Sequence, residues 1–160
     1  MATFSTRFLG CKVSFADAQA VRERLLGDGH TEAFDGAGDV AVVNTCCVTH
    51  EAVSKSRQAV ARVARTHRRV YVVGCGARLG GAFTRVPENV TVLPRVGEDA
   101  AEAVAGDVGA IGCVRSEAGP ERVRAFVKIQ DGCSFSCNFC VIPLVRGASR
   151  RGTARSSSPA

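Results

Sequence analysis

The first 110 residues alternate short apolar runs with helix-like segments, and this alternation restricts the fold more than any other feature. Strands that alternate with helices form parallel α/β sheets. A continuously apolar strand such as Val40–Val43 suits a sheet that is covered on both faces. The predicted strands are Thr6–Val13, a weak one at His30–Phe34, Asp39–Thr45, Val70–Val73 and Val90–Leu93.

Three helices are predicted between and after these strands. Ser14, with Asp17 three residues on, is typical of the start of a first helix that runs to about Leu26. Thr49 is placed to cap a long helix from about His50 to Arg68, and a short helix is expected over Gly97–Ala105.

The remainder of the chain has a different character. Residues 111–122 are rich in glycine, alanine and charge, and indicate a linker between an α/β domain (1–110) and a second unit (123–160). In that unit, Val123–Ile129 is predicted as a fresh strand that leads into a cysteine loop, and the Arg-, Ser- and Gly-rich tail is predicted to be disordered.

Composition limits the class of protein. A length of 160 residues, 46% hydrophobic and 22% charged, suits one globular domain with or without a fragment of another. We find neither an apolar run near the roughly 18 residues of a membrane span nor a signal peptide. A cytoplasmic location is therefore expected, in which the eight cysteines are free thiols. The net charge of +6 suits an anionic partner such as RNA.

Cys133, Cys137 and Cys140 form a C-x3-C-x2-C motif. Three thiolates at this spacing can bind three irons of a four-iron cluster, which normally takes four cysteines. The fourth iron is then left for a borrowed ligand, a substrate or a cofactor.

Cys11, Cys46 and Cys75 each follow a predicted strand. The carboxyl ends of parallel strands meet at the edge where α/β sheets bind ligands, and in the strand order 2-1-3-4 these strands are neighbours, roughly 5 Å apart. The residues alone leave two interpretations open: a second iron–sulfur site, or three buried structural cysteines. Cys47 and Cys113 fit neither set and are interpreted as structural or incidental.

Four motifs, in this order, resemble the methylthiotransferase family of radical S-adenosylmethionine (SAM) enzymes between about residues 3 and 150. They are Gly10-Cys-Lys-Val13, Val43-Asn-Thr-Cys46, Gly74-Cys75 and the run from Lys128 to Pro143, accompanied by Lys55-Ser-Arg57, Arg146-Gly147 and Arg150.

The resemblance implies a flavodoxin- or Rossmann-like amino-terminal domain with an auxiliary 4Fe-4S cluster on Cys11, Cys46 and Cys75. It implies a second 4Fe-4S cluster, on Cys133, Cys137 and Cys140, that binds and cleaves SAM at the start of a radical SAM barrel. The first cluster would supply the sulfur of a methylthio group. Phe139 matches the position where the superfamily packs near the adenine of SAM; simple core packing is the alternative.

The resemblance also bears on the substrate. Gly10-Cys-Lys-Val13 is most similar to the branch that modifies threonylcarbamoyl-adenosine at tRNA position 37, in the anticodon loop, whereas the isopentenyl-adenosine branch usually has glutamine at the position of Lys12. A ribosomal-protein aspartate is the target of a third branch. The implied partners are tRNA, SAM and an electron donor such as flavodoxin or ferredoxin, with no DNA and no membrane. A basic face of the 50–69 helix (Lys55, Arg62, Arg65 and Arg69) is either an RNA contact or a solvated surface.

The sequence departs from the family after the cysteine loop. A radical SAM barrel takes about 250 residues, so only its first strand and cysteine loop are expected here, as in a truncated or frameshifted chain. We expect residues 123–160 to be poorly ordered, because a lone barrel strand has unpaired edges. The alternatives are an inactive iron–sulfur remnant, a zinc module in which Cys113 is the fourth ligand, and a nucleotide binder. No Gly-rich phosphate loop follows the first strand, which argues against the last.

Overall fold

The computed structural model describes residues 1–33, 38–111 and 126–151. Five parallel strands form one sheet in the order β2-β1-β3-β4-β5. This is the flavodoxin-like arrangement, in which the strands that precede Cys11, Cys46 and Cys75 are neighbours. The strands are β1 (Thr3–Phe8), β2 (Thr31–Glu32), β3 (Gly38–Thr45), β4 (His67–Gly74) and β5 (Val90–Val92). The α/β fold expected from the alternating pattern is therefore confirmed.

Helices cover both faces of this sheet, as its continuously apolar strands require. They are α1 (Lys12–Gly27), α2 (His50–Val63), the short α3 (Cys75–Arg78) and α4 (Glu98–Val108). Val40, Val42 and Tyr71 pack with α1 and α4, while Ala41 and Val43 pack with Val60 and Val63 of α2. Adjacent residues of one strand thus enter two different cores, because side chains alternate across a sheet.

Two helix boundaries differ from the predictions. The helix α1 begins at Lys12 with Cys11 as its N-cap, so Ser14 lies inside the helix, buried, and does not cap it. The helix α2 has the predicted cap, since the Thr49 hydroxyl accepts the Ala52 N–H at 3.1 Å, but the helix ends at Val63. Arg69 lies in β4, so the predicted basic helix face that included it is wrong.

Residues 126–151 pack against the α/β unit, unlike the poorly ordered segment predicted for this region. A short antiparallel pair, β6 (Gln130–Asp131) and β7 (Arg150–Arg151), closes the cysteine loop, and helix α5 (Ile142–Arg146) lies between them in sequence. Val145 is buried in a small core with Cys47, Cys75 and Val96.

Some predictions concern residues outside the described ranges. The predicted strand Val123–Ile129 is absent over residues 126–129, and its first three residues lie outside the described part. Almost all of the predicted linker, and the tail from residue 152, also lie outside it. The division into domains stays a prediction.

Candidate iron–sulfur site

Three cysteines follow the carboxyl ends of β1, β3 and β4, at one edge of the sheet. Cys11 precedes the first residue of α1, Cys46 directly follows β3, and Cys75 is the first residue of α3. The register pairs Phe8 with Asn44 and Thr45 with Gly74, so the three chains leave the sheet side by side. The strand order therefore places Cys11, Cys46 and Cys75 at a common edge, as predicted from sequence.

Glycines allow the chain around Cys75 to approach β3 closely. Gly74 has φ +92°, and a Cβ there would lie 2.1 Å from Asn44 Oδ1. A Cβ at Gly76 would lie 3.1 Å from the carbonyl oxygen of Cys46. The backbones that carry Cys46 and Cys75 are thus in near contact, and a side chain on either glycine would force them apart.

Helix α2 fixes the backbone of Cys46. The Cys46 N–H donates to Ser56 Oγ at 3.3 Å, and Ser56 is fully buried. The serine of the Lys55-Ser-Arg57 motif therefore has a local structural role. Arg57 of the same motif is exposed and donates to the carbonyl oxygens of Gly81 and Ala82.

The environments of the cysteines differ. Cys11 is exposed, Cys46 is half-buried and Cys75 is buried. Burial raises the pKa of the Cys75 thiol, although the Arg146 guanidinium opposes the shift. Burial, helped by nearby Cys75 and Cys46, raises the pKa of Cys47 to about 11, which suits a protonated structural thiol. This agrees with the interpretation of Cys47 as a packing residue.

The donor chemistry of Cys11, Cys46 and Cys75 fits an iron–sulfur cluster, since three thiols lie at one edge of the sheet. Two buried polar atoms near these cysteines, Ser14 Oγ and Asn44 Oδ1, have no hydrogen-bond partner, so this edge has unused polar capacity. Among the residues that the structure describes, however, no three Cys, His, Asp or Glu side chains are gathered tightly enough to hold a metal ion. The strand ends that precede Cys11, Cys46 and Cys75 are therefore adjacent, but the three thiol groups are not close enough together to hold one metal ion.

The second set of cysteines lies in the loop between β6 and α5. Cys133 N–H donates to the Gly147 carbonyl at 3.0 Å, and Cys140 N–H donates to the Cys137 carbonyl at 3.2 Å. Cys133 is half-buried, whereas Cys137 and Cys140 are exposed. The loop is therefore tied at its base and open to solvent at its tip.

Phe139, the predicted adenine-packing residue, projects into solvent. Its side chain is fully exposed. The alternative that it packs in the core is therefore wrong, and the adenine role stays a prediction. Cys113, the residue considered as a fourth zinc ligand, lies outside the described residues.

A buried cluster of four charged residues joins the cysteine loop to the edge of the sheet. We name Asp17, Lys128, Asp131 and Arg146 the ion-pair cluster. Arg146 contacts Asp131 Oδ1 at 2.8 Å and Asp17 Oδ2 at 2.7 Å, while Lys128 Nζ contacts Asp17 Oδ1 at 2.6 Å and Asp131 Oδ2 at 3.2 Å. Each carboxylate therefore bridges both cations, as buried charges require.

The electrostatics of the ion-pair cluster are mutually consistent. Burial opposes the charge of Asp131, but Arg146 and Lys128 hold the pKa of that carboxyl below its ordinary value. Burial also opposes the charge of Lys128, yet Asp17 and Asp131 raise the pKa of that amine. Asp131 and Lys128 are thus stabilised in their charged forms.

Sequence reasoning missed this cluster. From the sequence pattern, Asp17 belongs to a helix start, and Lys128, Asp131 and Arg146 are only members of motifs. One signal was available: Asp17 lies one helical turn before Val21, which together with Leu25 is buried on the core face of α1. An acidic residue on a core-facing stripe indicates a buried cation partner.

No helix in residues 1–33, 38–111 and 126–151 is long and apolar enough to span a bilayer.

The chain is similar to a known protein family and to curated proteins. Residues 3–93 match the family described as "Uncharacterized protein family UPF0004". A tRNA-2-methylthio-N(6)-dimethylallyladenosine synthase from Sphingopyxis alaskensis is 29% identical over 91% of this chain and 37% of its own length. The threonylcarbamoyladenosine tRNA methylthiotransferase MtaB of Bacillus subtilis is 31% identical over 94% of this chain and 38% of its own length.

A third branch matches equally well. The ribosomal protein uS12 methylthiotransferase RimO of Acidithiobacillus ferrooxidans is 34% identical over 87% of this chain and 34% of its own length. The chain thus spans little more than a third of the length of these relatives. The family match covers more than half of the chain, so the chain belongs to the UPF0004 family, and the relatives that it resembles are a methylthio-adenosine synthase and two methylthiotransferases.

Proposed function

We propose that this chain carries the cluster-binding residues of a radical SAM methylthiotransferase that modifies threonylcarbamoyl-adenosine at tRNA position 37. The observation that carries the proposal is the pair of cysteine sets, one at the carboxyl edge of the sheet and one in a loop anchored to that edge. Arg146, which follows the loop, reaches Cys75 Sγ at 3.2 Å. The helix that directly follows the second set thus contacts a cysteine of the first set.

Cys11, Cys46 and Cys75 would hold an auxiliary 4Fe-4S cluster, and the loop cysteines would hold a second one. When bound, the second cluster and SAM would supply the radical that activates the substrate carbon, and the auxiliary cluster would supply sulfur. The protein's own contribution is positional. Ser56 fixes the Cys46 backbone, Gly74 allows Cys75 its approach, and the burial of Cys75 keeps water from its sulfur.

The proposal also specifies the substrate, a tRNA that carries threonylcarbamoyl-adenosine. Its support is the Gly10-Cys-Lys-Val13 motif and the MtaB relatives, from Bacillus subtilis and from Chlamydia pneumoniae, the latter 30% identical over 92% of this chain. Lys12 is exposed beside the cysteine edge, with its Nζ 5.9 Å from the centre of the Phe126 ring. The net charge of +6 favours an RNA substrate over a neutral protein surface.

Anaerobic reconstitution with iron and sulfide tests the metal sites. We expect about eight irons per chain, since each 4Fe-4S centre holds four. Cys46→Ser should reduce this to about four, whereas the neighbouring Cys47→Ser should not reduce it. Equal loss in both variants, or an iron count near zero in the unsubstituted chain, would overturn the proposed cluster.

A substrate comparison tests the branch. The reconstituted chain, SAM and a reductant are incubated with tRNA that carries threonylcarbamoyl-adenosine, with tRNA that carries isopentenyl-adenosine, or with ribosomal protein uS12. Mass spectrometry should detect a methylthio group only on the first. Modification of either other substrate would reassign the branch.

A further inference from the structure

The guanidinium of Arg146 is buried and engaged on three sides. Its side chain is 3% exposed, and its two terminal nitrogens donate to Asp131 and Asp17. The remaining nitrogen, Nε, donates to Cys75 Sγ at 3.2 Å. Arginine offers donors in a rigid planar fork, so fixing two of them on carboxylates also fixes the direction of the third.

This third donor points at a sulfur that the proposed function makes a cluster ligand. Hydrogen bonds to ligand sulfurs are among the factors that set the reduction potential of iron–sulfur clusters. Such a bond stabilises the electron-rich reduced state more than the oxidised state and therefore raises the potential. Groups that contact a metal ligand also orient it.

The surroundings leave Arg146 little freedom to move away from Cys75. Lys128 neutralises the second oxygen of each carboxylate, so neither is free to draw the guanidinium elsewhere. A Cβ on Gly97 would lie 3.0 Å from Lys128 Nζ and 3.2 Å from Asp131 Oδ2. Gly97 therefore packs directly against the ion-pair cluster.

We infer that Arg146 is a positioning residue for Cys75 that raises the reduction potential of the amino-terminal cluster through its Nε–H donor to the sulfur. The inference rests on the proposed function. Because Arg146 belongs to α5, directly after the loop of Cys133, Cys137 and Cys140, the segment of the proposed SAM site would set the potential of the other cluster. Docking of the segment that contains α5 would therefore also set the reduction potential of the amino-terminal cluster.

The test uses the full chain with Cys133, Cys137 and Cys140 changed to alanine, so that only the amino-terminal cluster assembles. Two charge-conserving variants are compared in this background: Arg146→Lys, which keeps the charge but loses the fork, and Lys128→Arg. Both alter the same two carboxylate contacts, but only the first removes the bond to sulfur. Dithionite supplies the single electron in a mediated titration, and the reduced cluster is followed by electron paramagnetic resonance.

We expect Arg146→Lys to lower the reduced-to-oxidised ratio at a fixed potential about tenfold, equivalent to 59 mV for one electron, and Lys128→Arg to leave it unchanged. Equal midpoints in all three proteins, or equal shifts in both variants, would overturn the inference while the iron count still supports the cluster. No cluster in the unsubstituted amino-terminal site would overturn the proposed function itself. If Arg146→Lys fails to fold, Arg146→Gln, which keeps an N–H donor, should give an intermediate midpoint; an unshifted midpoint would again count against the inference.

Discussion

Tyr71 shows at the residue scale how a buried polar group is satisfied in this fold. It is the chain's only tyrosine, and its side chain lies in the core beneath α4. Its hydroxyl donates to the Asp107 carboxylate near the end of that helix. Burial, together with this acceptor, raises the pKa of Tyr71 above its ordinary value.

An absorbance titration of the phenol should therefore give a midpoint above the ordinary value of about 10. Because the folded pKa is raised, the stability that the protonated phenol contributes is fully present below about pH 10 and is lost as the pH rises through the folded pKa. Asp107→Asn should lower the midpoint only partly, because burial is the larger cause. A midpoint near 10 in the folded protein would contradict this account.

The sequence pattern predicts the cysteines of the candidate site but not the charged residues of the ion-pair cluster. The cysteines could be singled out because each follows an apolar strand or lies in a tight motif. The ion-pair cluster could not be assembled, because Asp17 and Arg146 are 129 positions apart and meet only when α5 docks. Sequence spacing carries no information about such a contact.

At the scale of elements, α2 depends on its cap. Thr49→Ala should reduce the free energy of unfolding by about 1 kcal/mol, because the Ala52 N–H loses its acceptor. Thr49→Ser keeps the hydroxyl and should retain most of that stability. Urea unfolding followed by circular dichroism measures both variants, and equal losses would show that the hydroxyl is not the cause.

The turn between β4 and α3 has a stricter requirement. Gly74→Ala should cost more than about 1 kcal/mol, because it places a side chain at positive φ against Asn44 and Thr45. Gly27→Ala is the matched control, since no atom lies within 4 Å of its would-be Cβ and it ends a helix. Thermal unfolding compares the two; a similar small effect in both would mean that the turn tolerates a side chain.

The strand order was predictable, because strong apolar runs and parallel crossovers leave few topologies. The end of α2 was not. Residues 64–69 contain no helix breaker, yet the helix ends at Val63 and β4 begins at His67. His67 is held there by tertiary contacts, with its Nε2 2.9 Å from Ser5 Oγ and its Nδ1 3.1 Å from the Val63 carbonyl. Packing thus overrides the local helical preference.

At the scale of the whole molecule, the segment from residue 126 to 151 is attached mainly through buried charge. Its large apolar side chains point largely outward: Val127, Ile129, Phe135 and Leu144 are each at least 75% exposed. Only Val145 reaches full burial in an apolar core. Residues 126–129 do not form the predicted barrel strand, because no neighbouring strand within the described ranges pairs with them.

Limited digestion with trypsin tests this attachment, because two of its cleavage sites are members of the ion-pair cluster. Arg146 and Lys128 have side chains that are only 3% and 18% exposed, whereas Arg150 is 55% exposed. The folded protein should be cut after Arg150 and resist cleavage after the other two. Asp17→Asn removes one of the two negative charges that both cations share and should release the segment.

Breaking a buried ion pair costs about 3–5 kcal/mol, and proteolysis of a transiently opened segment follows the population of the open form. Cleavage after Lys128 and Arg146 should therefore accelerate by at least about 100-fold in Asp17→Asn. Asp99→Asn is the control, since Asp99 is half exposed and lies 3.9 Å from Arg150; it should leave both rates unchanged. Mass spectrometry locates the cuts. If faster cleavage is confined to residues 126–151, the segment detaches from an intact sheet. Equally faster cleavage within β4 would mean that Asp17 stabilises the entire fold and that the segment has no separate attachment.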